Sequence, residues 1–220
     1  MFIRPESRIK MRLLLLTGGK HPYHESTPIL TRLLRGAGHT VKVSKSAREL
    51  ASPTVKNYDA IVLNTRRRKD TDNHFTTAQE NGFRQYVAEG GGLISIHISA
   101  ESPEWPEMKK ITGGGWVTGV SNHPPFGRFT VHVRNKAHPC ARGIRDFETD
   151  DELYCDLNIQ PGIDVFLGAP HAGKERPLGW THKYGKGKVF NLALGHNGIA
   201  HQNRGFQKLV LNGVAWATAR

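Results

Sequence analysis

Short apolar runs recur along the chain with helix-period segments between them, the pattern of a mainly parallel sheet covered on both faces. Residues 13–16 are four consecutive leucines, read as a buried first strand that gives way to a loop over 17–25. Ser26 is a candidate N-cap with Pro28 just inside. Ile29, Leu30, Leu33 and Leu34 then share one helical face until Gly36 and Gly38 stop it. Strands follow at 40–43 and 58–64, the latter with the near-continuous apolar centre of a doubly covered strand. A helix over 76–89 is released by Gly90-Gly91-Gly92 into a fourth strand at 93–97. The second half is less regular. It shows strands at 129–133, 164–167 and 188–194, then a helix over 205–218 carrying Phe206, Leu209, Val210, Val214 and Trp216. No repeat or long linker separates the halves, so 11–220 reads as a single domain behind a loose extension over 1–10.

Composition narrows the class without naming a function. With 220 residues, 37% hydrophobic and 23% charged, the chain has the balance of a globular protein and not of a disordered one. Two cysteines, Cys140 and Cys155, make neither a disulfide framework nor a four-ligand zinc site; reduced thiols in the cytoplasm are the simplest reading. The leucine run behind Arg4, Arg8, Lys10 and Arg12 is too short for a signal peptide, which needs roughly 7–15 apolar residues. Nothing elsewhere approaches the ~20 apolar residues of a membrane span.

Charge adds one question. The formal net charge is +12, and residues 1–50 hold ten Lys/Arg against three Asp/Glu. The densest run, Arg66-Arg67-Arg68-Lys69, reads either as a phosphate-binding patch or as a solvated loop. No RNP, KH, helix-turn-helix or zinc-finger pattern accompanies it and no aromatics interleave it. The solvated loop is preferred, with no specific nucleic-acid partner and no membrane.

Ligands of open α/β sheets bind beyond the carboxyl ends of the strands. There the first strand leads to His21 and His24, the fourth to His97 and the late strand to His196. For each histidine alone, a surface or core role is the ordinary alternative; the coincidence at three strand ends is the signal. Other motifs fail. Residues 179–186 lack P-loop spacing and read as a hairpin turn, and no HExxH marks a metal site. The acidic segment 146–152 reads mostly as a solvated loop, with Glu152, beside Leu153-Tyr154, the member that points inward.

Several weak motifs nonetheless fall in one order from about residue 11 to 217. They are Gly90-Gly91-Gly92-Leu93-Ile94-Ser95-Ile96-His97, Gly113-Gly114-Gly115-Trp116 with His123-Pro124, His138-Pro139 and Asp151-Glu152-Leu153-Tyr154. Pro177-Leu178-Gly179-Trp180, Tyr184-Gly185-Lys186-Gly187-Lys188-Val189-Phe190, Leu194-Gly195-His196 and Gly213-Val214-Ala215-Trp216-Ala217 follow. In that order they resemble the ThuA-like (trehalose utilisation) family within the class I glutamine amidotransferase-like superfamily. The resemblance implies an α/β, flavodoxin-like three-layer sandwich: a mostly parallel sheet, helices on both faces and a cleft above the strand ends. In amidotransferases the turn after the fourth strand presents a nucleophilic cysteine, later paired with His and Glu. Here that turn reads Ile96-His97-Ile98-Ser99, and His196 is followed by Asn197-Gly198, so glutaminase activity is not expected.

The family context is bacterial carbohydrate use, alongside dehydrogenases that produce keto sugars. A keto group acidifies the neighbouring C–H, so ordinary side chains suffice for proton transfer, elimination or isomerisation. His97, His196 and Glu152 are the expected catalytic set: one imidazole takes a proton, the other delivers it, and Glu152 orients an imidazole or acts as base. His24, His123, Trp116, Trp180 and Tyr154 are the expected contacts to a small-molecule carbohydrate, with core packing the alternative for the tryptophans. Oligomerisation stays open. So do two rivals: a non-catalytic sugar-binding module, and a hydrolase or lyase dependent on a divalent metal held by His24, His97, His123 and Glu152 or His196.

Overall fold

The computed structural model describes residues 10–219; the extension expected over 1–10 lies outside them apart from Lys10. The first half runs β1 (Arg12–Gly18), α1 (Tyr23–Gly36), β2 (Thr40–Ser44), β3 (Ala60–Thr65), α2 (Thr77–Ala88), β4 (Gly92–Ile96) and α3 (Glu107–Thr112). The second runs β5 (Gly114–Gly115), β6 (Gly127–Val133), β7 (Phe147–Asp151), β8 (Asn158–Ile159), β9 (Asp164–His171), β10 (Lys174–Tyr184), β11 (Gly187–Leu192), α4 (Gly198–Gln202) and α5 (Arg204–Thr218).

One large sheet has the order β2-β1-β3-β4-β11-β10-β9-β6-β7, and β5 pairs with β8 apart from it. Neighbours from β2 across to β11 are parallel. From β11 across to β7 every pair is antiparallel. The sheet is therefore mixed, which corrects the mostly parallel sheet expected from the sequence. Connections decide the difference. Helical crossovers return the chain parallel in the first half, whereas the tight turns Ala172-Gly173 and Gly185-Lys186 permit only antiparallel neighbours.

Alternation along β1 explains how both faces are filled. Leu13 and Leu15 join Leu30 and Leu34 of α1 and Leu209 and Val210 of α5. Leu14 and Leu16 join Phe83 and Val87 of α2 and Met108 and Ile111 of α3 on the opposite face. Fully burying each such leucine contributes about 1.5–3 kcal/mol. Helix α2 opens on a capping box between Thr76 and Gln79. Helix α1 begins earlier than its sequence suggests, at Tyr23, so Ser26 is not its cap but a buried helical residue accepting from Asn64 Nδ2 at 3.1 Å.

Two other segments differ from expectation. The acidic stretch before Glu152 is strand β7, with Thr149 and Asp151 turned inward. The basic run is not a solvated loop either. Arg67 is 6% exposed and donates to the carbonyls of Thr17, Lys45 and Asn73. Arg66 and Arg68 both grip the buried carboxylate of Glu101, at 2.6 and 3.0 Å. Among the described residues, no helix is long and apolar enough to cross a membrane.

Candidate functional site

The topology brings four strand ends to one edge of the sheet. β1, β4 and β11 are parallel, and four antiparallel steps from β11 return β7 to the same direction. Their carboxyl ends lead to His21, His97, His196 and Glu152. Two glycines make this convergence tight. Gly19 sits at φ +113 where a Cβ would meet the Arg66 carbonyl, and Gly195 at φ +112 where one would meet Ile96, Phe206 and His201.

His97 follows β4 at φ +55, a left-handed conformation uncommon outside glycine, and turns the chain sharply off the strand. Its Nδ1 lies 3.2 Å from the Ala193 carbonyl. A carbonyl only accepts, so Nδ1 carries the proton and Nε2 is the exchanging nitrogen. Nε2 faces the Tyr154 hydroxyl at 2.6 Å and Glu152 Oε2 at 3.2 Å. The other side of Oε2 meets His196 Nδ1 at 3.1 Å, and Oε1 lies 3.7 Å from His123 Nε2.

Asp151, fully buried behind Glu152, accepts backbone N–H bonds from Glu152 (2.8 Å), Gly195 (2.6 Å) and His196 (3.0 Å). One carboxylate thus ties the end of β7 to the loop after β11. His21 completes the cluster, its ring centroid 5.4 Å from that of His97 and 5.3 Å from that of His196. Trp116 stands edge-on to Tyr154 at 4.6 Å. His21, Trp116, His123, Glu152, Tyr154 and His196 line, with Lys20 and Arg66, an open cavity of ≈ 360 Å³, and His97 stands behind Glu152 and Tyr154. A larger groove of ≈ 1100 Å³ lies along α5 and the amino-end residues Met11, His39 and Asp59, and contains none of this cluster.

Electrostatics separates the roles. Burial, aided by the neighbouring His97 and His196, pushes His21 down to about 4, leaving it neutral near pH 7. Burial also disfavours the Glu152 anion, but His196 and His97 outweigh it and hold the carboxyl well below its usual range. The same contact overcomes burial at His196 and raises it above the ordinary histidine value. Tyr154 is pushed far up by burial and remains a phenol. The cluster is thus a carboxylate among imidazoles, with a protonated hydroxyl at its floor.

The sequence profile of the ThuA family, described as trehalose utilisation, matches residues 12–217. The chain belongs to the ThuA family. A Parabacteroides merdae protein described as ThuA-like superposes with a TM-score of 0.82 at 24% identity, covering 96% of this chain and 91% of that one. A Bacteroides uniformis ThuA-like protein gives 0.79 at 18%, over 98% and 94%. A cytoplasmic protein of Salmonella typhimurium LT2 gives 0.72 at 16%, over 94% and 99%. These likenesses concern the fold. No curated protein matches the sequence.

In this ThuA family member the cleft gathers His97, His196, Glu152, His123, Trp116 and Tyr154 from the residues singled out in the sequence. It does not gather His24 or Trp180. His24 lies in the first turn of α1 with its side chain 80% exposed, because the helix starts before it. Trp180 is core: 2% exposed on β10, its indole N–H donates to the Thr112 carbonyl at 3.0 Å. His21 occupies the place expected of His24. The sequence offered both at the first strand end, and Gly18-Gly19 was the cue that the chain turns back early. Asp151 was hidden by its acidic neighbours. His24→Ala is expected to change stability by no more than about 0.5 kcal/mol. Trp180→Ala should cost about 3–5 kcal/mol. Thermal melts of the two variants check the assignment.

Proposed function

We propose that this ThuA family member acts in the cytoplasm on a small carbohydrate, a keto sugar or glycoside derivative, by proton transfer in the His97–Glu152–His196 cleft. The observation that carries the reading is the convergence of these side chains from three strand ends onto one carboxylate, at 3.2 and 3.1 Å. Moving a proton beside a carbonyl needs an electrophile for the oxygen and a base for the carbon. Protonated His196 fits the first need, Glu152 the second, and His97 Nε2 relays the proton. Trp116 offers an apolar wall to the sugar ring, and a cavity of ≈ 360 Å³ suits a small ligand. The parallel order β2-β1-β3-β4-β11 supports a flavodoxin-like three-layer core, whose clefts lie above the strand ends.

Release of ammonia from glutamine is not expected. The turn after β4 presents His97 and no cysteine, while Cys140 and Cys155 are buried elsewhere and burial pushes the Cys140 thiol up to about 12. The purified protein should be screened against glycosides and their 3-keto derivatives together with His97→Ala, whose fold is checked by circular dichroism. Turnover of a keto form that is lost in His97→Ala is the expected result. Turnover unaffected by His97→Ala overturns the assignment, and binding without turnover would favour a sugar-binding module.

A further inference from the structure

We infer that His21, His97, His196 and Glu152 together hold one divalent transition-metal ion. One ligand atom from each lies within 4.8 Å of all the others. The three imidazole centroids form a nearly equilateral triangle with sides of 5.4, 5.3 and 5.4 Å. A tetrahedral centre with bonds of about 2.0–2.1 Å spaces its donors about 3.3 Å apart. The two edges from Glu152 Oε2, at 3.2 and 3.1 Å, already have that spacing.

A second observation is independent of the spacing. The Nδ1 atom of His21 is buried with no hydrogen-bond partner among the described residues, an arrangement that costs free energy unless something else meets it. The surroundings are also those of ligands. His97 donates from Nδ1 to the Ala193 carbonyl, which fixes its tautomer and aims Nε2 inward, and Asp151 pins the backbone of both Glu152 and His196. Three nitrogen donors and one carboxylate select a zinc-like ion over magnesium or calcium. Neither His24 nor His123 belongs to the set, unlike the ligand list the sequence suggested.

The inference rests on this cleft being the reaction site and alters one assignment there. With the ion bound, the three histidines and Glu152 would be its ligands, and the ion, expanding to take the substrate oxygen as a fifth ligand, would supply the electrophile in place of a protonated imidazole. The full chain, stripped with chelator, should be titrated calorimetrically with Zn²⁺ and Co²⁺, with Mg²⁺ as comparison. One equivalent of Zn²⁺ should bind and raise the melting temperature, and Co²⁺ should give a tetrahedral-type visible spectrum. His21→Ala, a loop substitution, should weaken binding by at least about 100-fold, beyond the usual loss of an outer partner. His24→Ala should not. Absence of stoichiometric Zn²⁺ binding, or unchanged affinity in His21→Ala, overturns the metal site. Turnover of a keto sugar after complete chelation would sink the metal and spare the proposed function; zinc binding with no carbohydrate recognised would do the reverse.

Discussion

Asp151→Asn is expected to lower the melting temperature by about 6–12 °C and to loosen the cleft with it. The Asp151 carboxylate is 1% exposed and receives three backbone N–H groups, two of them from Gly195 and His196 far along the chain. An amide keeps one acceptor oxygen but turns its NH₂ against a buried donor. Leaving such donors unmet costs about 1–3 kcal/mol each, so about 3 kcal/mol is expected in total. At about 2–4 °C per kcal/mol for a chain of this size, the stated drop follows. Calorimetry gives the temperature, and the amide resonance of Gly195 reports whether that contact is the one lost. An unchanged melting point with a shifted Gly195 amide would mean that the loop is held by its other contacts.

Glu152→Gln should have the largest effect on chemistry with little on stability. Glu152 touches both His97 and His196, so its charge is the hub of the cluster. Loss of a positioned base typically costs at least about 100-fold in rate. The sign of a second effect is fixed. In chelator-treated wild type the carboxylate raises His196 against the opposing pull of burial. Without it the opposing pull of burial is met only by the more distant Asp151 and Glu25 carboxylates, and the titration midpoint of His196 should fall from its wild-type position. Proton resonances of the imidazole C–H followed against pH measure it. A midpoint unmoved by the substitution would deny that Glu152 charges His196.

What the sequence made legible, and what it did not, follows from the range of the interactions. Residues 13–16, 58–64 and 93–97 are apolar enough to be central strands wherever the chain places them, and their march fixes the parallel half. β7 is different. Phe147-Glu148-Thr149-Asp150-Asp151 carries too little apolar surface to announce a strand, and it becomes one because β6 supplies the partner and the Gly195 loop satisfies Asp151. The basic run misleads for the same reason: Arg66 and Arg68 are set by Glu101, more than thirty residues away. His97, His196 and Glu152 were readable because strand ends are privileged positions. The choice between His21 and His24 depended on where a helix begins, the boundary that local propensity defines least well.

The central position of β4 has a consequence for synthesis. Its partners are β3, made just before it, and β11, whose pairing residues run from Val189 to Leu192. At about 5–20 residues per second, the ribosome leaves one edge of this largely apolar strand without its neighbour for about 5–20 s. During that interval the nascent chain presents a sticky ribbon to other nascent chains. Recovery of intact protein should therefore depend on chaperone supply at the ribosome more than the stability of the finished sheet alone would suggest.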